Sequence, residues 1–221
     1  MPDQMSLPGI TGEPALFQPE VVHGRAGQLR GYNLFFAIVP SSEDAQPFAQ
    51  VGAELSRRHE LQGRCLPPQN FHVSLHAVAG YADKIPRSDI DAARAAAARV
   101  AWPGLTLVFD HAGSFMNRKH PDDNAFVLRC DALSAKALAD RRRVLGMELR
   151  RVGLKPEASS TPHMTLIYDR HLVPAHPIEP LRWTAMRFSL ILSHQRLGHH
   201  QRLGDWPPLA AEGSRSRDSQ K

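Results

Sequence analysis

Phe71-His72-Val73-Ser74-Leu75-His76 and Pro162-His163-Met164-Thr165-Leu166-Ile167 carry the same phrase, His-x-Ser/Thr-Leu, 91 positions apart in a chain of 221 residues. Each copy follows a breaker, Pro67-Pro68 in one case and Pro162 in the other, and each alternates apolar and polar residues with the period of a strand. On a strand, side chains two apart share a face. His72 and Ser74 therefore point one way while Val73 and Leu75 anchor the core; His163 and Thr165 point together, with Met164 and Leu166 opposite. The fold must place these two strands, and each offers one imidazole beside one hydroxyl.

Upstream of the first phrase, Asn33 to Val39 is an apolar, aromatic strand that stops at Pro40. Ser42-Glu43-Asp44 signals a helix start, with Phe48, Val51, Gly52 and Leu55 on one face. Ser88-Asp89-Ile90-Asp91 resembles a capping box and opens an Ala-rich helix to about Val100. Leu105 to His111 and Ala125 to Cys130 read as strands around the loop Asn117 to Asn124. Ser134 to Val152 is the longest helix, with Leu138, Leu145, Leu149 and Val152 as its stripe and Gly153 placed to end it. His163 to Tyr168, Met186 to Ser193 and His199 to Leu203 supply the remaining strands. The order β-α-β-α-β-β-α-β-β-β splits into halves that each hold one copy of the phrase, which suggests an internal duplication. Residues 1–31, rich in Pro and Gly, are expected to be a flexible arm, 32–209 a single domain and 210–221 a disordered tail.

Hydrophobic residues at 42% and charged ones at 22% describe an ordinary globule. No apolar run approaches the roughly 18 residues of a membrane span, and the first ten residues lack the pattern of a signal peptide, so a cytoplasmic location is expected. Cys65 and Cys130 form no framework and read as buried free thiols. The net charge of +5 favours an anionic partner such as RNA or a nucleotide. Arg141-Arg142-Arg143 and Arg150-Arg151 hold part of that excess and read as solvated helix faces.

An imidazole titrates near pH ~6.5, so two of them can divide acid and base roles around neutrality. A neighbouring hydroxyl can donate to a non-bridging phosphate oxygen. Opening a cyclic phosphodiester needs such a set: one group removes a proton from water and the other supplies a proton to the departing oxygen. Neither phrase has a carboxylate on its histidine's face, so no metal and no cofactor is expected. His194, His199 and His200, with His171 and His176, are the rival metal candidates and read as surface histidines. His76 shares the parity of His72 and is expected at the cleft rim without a role. Tyr168, at odd spacing from Thr165, is expected on the opposite face. Phe115 could stack a base, and Arg118 beside it could bring positive charge to a phosphate; a core Phe115 and a merely exposed loop are the competing reading.

At these residues the chain resembles the two-histidine (2H) phosphoesterases, in particular the branch of 2′-5′ RNA ligases and RNA 2′,3′-cyclic phosphodiesterases. The signature is a pair of His-x-Thr/Ser-x motifs, matched by His72 to Leu75 and His163 to Leu166. Asn33 to Pro40 is similar to the family's opening strand and Arg187 to Ser193 to its closing strand. The resemblance implies an α+β, bilobal fold, with two pseudo-symmetric lobes whose antiparallel sheets line a central cleft and whose helices lie outside. It implies His72 as proton donor to the leaving oxygen, His163 as the base that activates water, and Ser74 and Thr165 as phosphate ligands. The expected substrate is an RNA end or nucleotide bearing a cyclic phosphate, and a monomer is the expected state. Many members carry Arg five residues after the second histidine, where this chain has Tyr168. The alternatives are a non-catalytic RNA or nucleotide module and a 2H phosphodiesterase acting on a small cyclic nucleotide or a linear 2′-5′ linkage.

Overall fold

The computed structural model describes residues 31–82, 84–157, 161–194 and 199–207. The arm and tail expected at the two ends therefore fall almost wholly outside the described residues. The elements run β1 (Tyr32–Ile38), α1 (Ala45–Arg58), β2 (Arg64–Cys65), β3 (Val73–Tyr81), α2 (Arg87–Ala97), β4 (Leu105–Phe115), β5 (Asn124–Cys130), α3 (Ala132–Arg151), β6 (His163–Asp169), β7 (His176–Ala185), β8 (Phe188–His194) and β9 (His199–Trp206). They form two sheets, β3-β1-β8-β9 and β2-β6-β5-β4-β7, and every ladder is antiparallel. The architecture is α+β and bilobal, one motif strand to each sheet.

Two strands go beyond the expected order. β2 is only two residues long, below the reach of any periodicity. β7 carries Pro177 and Pro180, which argue against a strand except at an edge, and β7 is the edge of its sheet. The helix signals hold in outline. Asp131 caps α3 by accepting from the Ser134 backbone N–H at 2.7 Å, and Gly153, at φ +84°, ends it in the left-handed region that a side chain resists. The Ser88-Asp89 box does not form; Pro86 precedes α2, and Asp89 accepts a 2.5 Å hydrogen bond from the Tyr81 hydroxyl instead.

The helices tie the two sheets together. α1 leaves β1 of the first sheet but packs behind β6 of the second, where Gly52 faces Leu166 and Phe48 meets Phe109 and Trp183 edge-on. α3 leaves β5 of the second sheet, stays against β4 of that sheet and also reaches β3 of the first, Gly146 lying against His76. One core runs through both sheets as a result, with Phe36, Phe109, Phe126 and Phe188 fully buried in it. Each such ring stabilises the fold by about 1.5–3 kcal/mol.

Short straps cross between lobes in the same reciprocal way. β2, upstream of the first motif, pairs with the second motif strand, Arg64 opposite Tyr168. Glu157, upstream of the second motif, pairs with the first motif strand at Ala77, through backbone hydrogen bonds of 2.7 and 2.9 Å.

Candidate active site

Pro67 and Pro68 set a single 3-10 turn, Pro68–Asn70, that ends two residues before His72. His72 donates its Nδ1–H to the Asn70 carbonyl at 2.8 Å. His163 donates its Nδ1–H to the Thr161 carbonyl at 2.9 Å. The same bond to the carbonyl two residues back fixes both rings and makes Nε2 the basic nitrogen of each neutral imidazole. A phenylalanine walls each ring: Phe35 lies 5.3 Å from His72, and Phe115 meets His163 edge-on at 4.9 Å.

Both motif strands bulge at the leucine of the repeated phrase. Ser74 pairs with Ala37 and His76 with Phe36, so Leu75 is the extra residue. Thr165 pairs with Val127 and Ile167 with Phe126, so Leu166 is the extra residue. A bulge reverses the facing of everything after it. His76 is therefore not at the cleft rim but buried on the core face, its Nε2 bonded to the Arg142 carbonyl at 2.6 Å. Tyr168 is not on the face opposite Thr165. It pairs with Ala125, two residues from Val127, and packs with Phe115, Ala125 and Val127 on the face that carries His163.

Ser74 and Thr165 keep the faces of their histidines, Ser74 beside the cluster of Phe35, Ala37 and Ile191 and Thr165 opposite Val127. The strands β3 and β6 approach to within 8 Å between Cα atoms. Both imidazoles are pushed below their ordinary pKa by burial, His163 to about 4, with the backbone bonds opposing. After burial, a charge on His72 depresses His163, as do Arg142 and Arg129.

Three contributors lie outside the phrases. Arg142 is buried, and its guanidinium donates to the Ser74 carbonyl at 2.6 Å; its pKa is lowered to about 10 by burial. It is not part of a solvated face, because it stands four residues after Leu138 and three before Leu145 and so belongs to their stripe. That spacing is the available signal. Arg129 stands opposite His163 in the ladder. His200 of β9 packs on Phe35 and on His72, at 5.7 and 5.2 Å, a contact no local pattern foretells.

Phe115 is buried, in keeping with the core reading, and it also walls the motif histidine. Arg118 is exposed on the loop after β4 and is not among the groups whose charge bears on either motif histidine. No group of three or more His, Cys, Asp or Glu side chains among the described residues is arranged to hold a metal. His194 packs on Tyr32 instead, and His176 faces His59 with 3.2 Å between Nε2 atoms. Cys65 is exposed rather than buried, because β2 is a thin edge strand; Cys130 is half-buried, its thiol pushed up to about 12 by burial.

No protein-family model matches the chain, and no curated protein does. Solved structures do. The chain is similar to Escherichia coli LigT complexed with NADP+, at 22% identity and a TM-score of 0.59 over 80% of this chain and 97% of that one. A structure described as a phosphoesterase matches at 21% identity and a TM-score of 0.58, over 79% of this chain and 96% of the other. The TT0787 protein of Thermus thermophilus matches at 17% identity and a TM-score of 0.56, over 78% and 96%. The fold is theirs.

Proposed function

We infer that this chain, which shares its fold with E. coli LigT and carries both His-x-Ser/Thr phrases, is a two-histidine phosphoesterase that opens an RNA 2′,3′-cyclic phosphate to a 2′-phosphate. The observation that carries this reading is the matched pair itself: two imidazoles from different sheets, each held by the carbonyl two residues behind it and each beside a hydroxyl, with His163 depressed by a charge on His72. The LigT complexes with NADP+, ATP and 3′-AMP show that protein binding nucleotides, which agrees with a nucleotide-bearing substrate here.

In the proposed step, His163 Nε2 takes a proton from water as the oxygen attacks phosphorus. The bond from phosphorus to the 3′ oxygen breaks, and His72, protonated, delivers its Nε2 proton to that oxygen. Ser74 and Thr165 hold the non-bridging oxygens. A proton on one ring disfavours a proton on the other, so the pair supports one acid and one base rather than two of either. Run backwards with a ribose hydroxyl in place of water, the same groups would join ends.

Purified protein offered a cyclic-phosphate-ended RNA and a cyclic mononucleotide, with and without chelator, tests the reading. The expected product is the 2′-phosphate, with turnover unchanged by chelation. His72→Ala and His163→Ala should each lower turnover by about 10²- to 10⁴-fold. Full activity in either variant, or a 3′-phosphate product, overturns the mechanism; RNA binding without product points to a non-catalytic module.

A further inference from the structure

Arg129 of β5 is directly opposite His163 in the β5–β6 ladder. Directly opposed residues project from the same face of a sheet. Its alternation with Ala125 and Val127, which pack with Phe115 on the cleft side, gives the same direction. The side chain is half-buried, yet it makes no hydrogen bond or ion pair among the described residues. Its other cross-strand neighbour, His111, bonds to Asp110 instead. A guanidinium carries five donors in a planar fork, and leaving them unspent in a half-dry site is costly unless an anion occupies it.

Two other arginines near the cleft are committed elsewhere, and Arg64, opposite Tyr168, is exposed. Arg142 donates to the Ser74 carbonyl, and Arg202 lies 3.8 Å from the Asp205 carboxylate. Arg118 stands on the exposed loop. Arg129 differs from these in being half-buried and directly opposite His163 with uncommitted donors among the described residues.

We propose that Arg129 is the phosphate-contacting cation of this site, its fork donating to the non-bridging oxygens of the phosphodiester between His72 and His163. It takes up the charge that grows on those oxygens as water attacks. The motif strands then supply the proton chemistry and β5 the counter-charge. This rests on the phosphoesterase reading above and adds a residue to it.

Inorganic phosphate titrated into the full chain by calorimetry tests the assignment without requiring turnover. Arg129→Gln should weaken phosphate binding by about 10- to 100-fold, the worth of a charge-assisted hydrogen bond or two. Arg129→Lys should recover part of it, because charge survives but the fork does not. In the same variants the His163 ring, followed by NMR, should titrate at higher pH in Arg129→Gln than in wild type; the charged groups that bear on it are His72, Arg142 and Arg129. Equal phosphate affinity in wild type and a folded Arg129→Gln, or no phosphate binding by wild type, overturns the proposal. Weakened phosphate binding in a protein that opens no cyclic phosphate would keep Arg129 as an anion contact and remove the enzyme reading instead.

Discussion

A histidine whose Nδ1–H is spent on a nearby carbonyl keeps one ring direction and one tautomer, and this chain does so twice, at His72 and at His163. Burial then works against protonation of both rings, and His72 adds its own charge against His163. A bound phosphodiester reverses that balance, since a negative charge between the rings favours the protonated form. The pH optimum of kcat/KM, which reports free enzyme, should therefore lie below about 6.5, while the profile of kcat should move to higher pH; coincident profiles would contradict this account. Stability has the same cause. His163 binds its proton near pH 4 when folded and near 6.5 when unfolded, so between these values the unfolded chain takes up more protons and stability falls as pH falls. Denaturant unfolding at about pH 7 and about pH 4.5 should show the drop, and His163→Gln should reduce it, leaving the share of His72 and His76, which burial also depresses. The hydroxyls are expected to act on the phosphate alone: Ser74→Ala and Thr165→Ala should each cost about tenfold in kcat/KM, with unchanged stability gradients over pH.

Between single side chains and the assembled lobes lies the bulge. Both motif strands insert their leucine, Leu75 or Leu166, and both return the residue five after the histidine to the cleft face, Ala77 in one copy and Tyr168 in the other. Those same residues receive the straps: Glu157 bridges Ala77, and Arg64 pairs with Tyr168. The second strap depends on close approach at Gly63, where a Cβ would fall 1.9 Å from the Tyr168 carbonyl oxygen and 2.8 Å from the Asp169 Cα. Gly63→Ala must push β2 away from β6, and should destabilise the protein by about 1–3 kcal/mol and weaken hydrogen-exchange protection at Tyr168 and Asp169. An unshifted melting curve would show that the strap contributes nothing. Under the first motif strand, Arg142→Met keeps the bulk of the stripe but strips the Ser74 carbonyl of its donor. A loss of about 1–3 kcal/mol is expected by denaturant unfolding, the cost of a buried group left unpaired.

Across the full architecture, two copies of a strand-helix-strand unit, β1-α1-β3 and β5-α3-β6, exchange straps and lay their helices across to the other sheet, so that neither lobe closes its core alone. Unfolding monitored by a probe in each lobe should therefore give one coincident transition; two separate transitions would show the lobes to be independent. What can be read along the chain is whatever depends on near neighbours. Strand alternation places Val73, Leu75, Met164 and Leu166 in the core, helical spacing places Phe48, Leu138 and Leu145, and the repeated phrase pairs His72 with Ser74 and His163 with Thr165. Parity fails beyond each bulge, so it puts His76 and Tyr168 on the wrong faces; an inserted residue is set by how the partner strand and the helix behind it pack, which no local period encodes. β7 is hidden by its own prolines, tolerable only because the sheet around it makes it an edge. The order of residues alone is enough to name the side chains that carry the chemistry, because alternation and helical period are short-range steric properties of the backbone. That Phe35, Arg129, Arg142 and His200 gather around the two histidines is a property of the folded chain alone, because ladder register and helix packing bring together residues far apart in sequence.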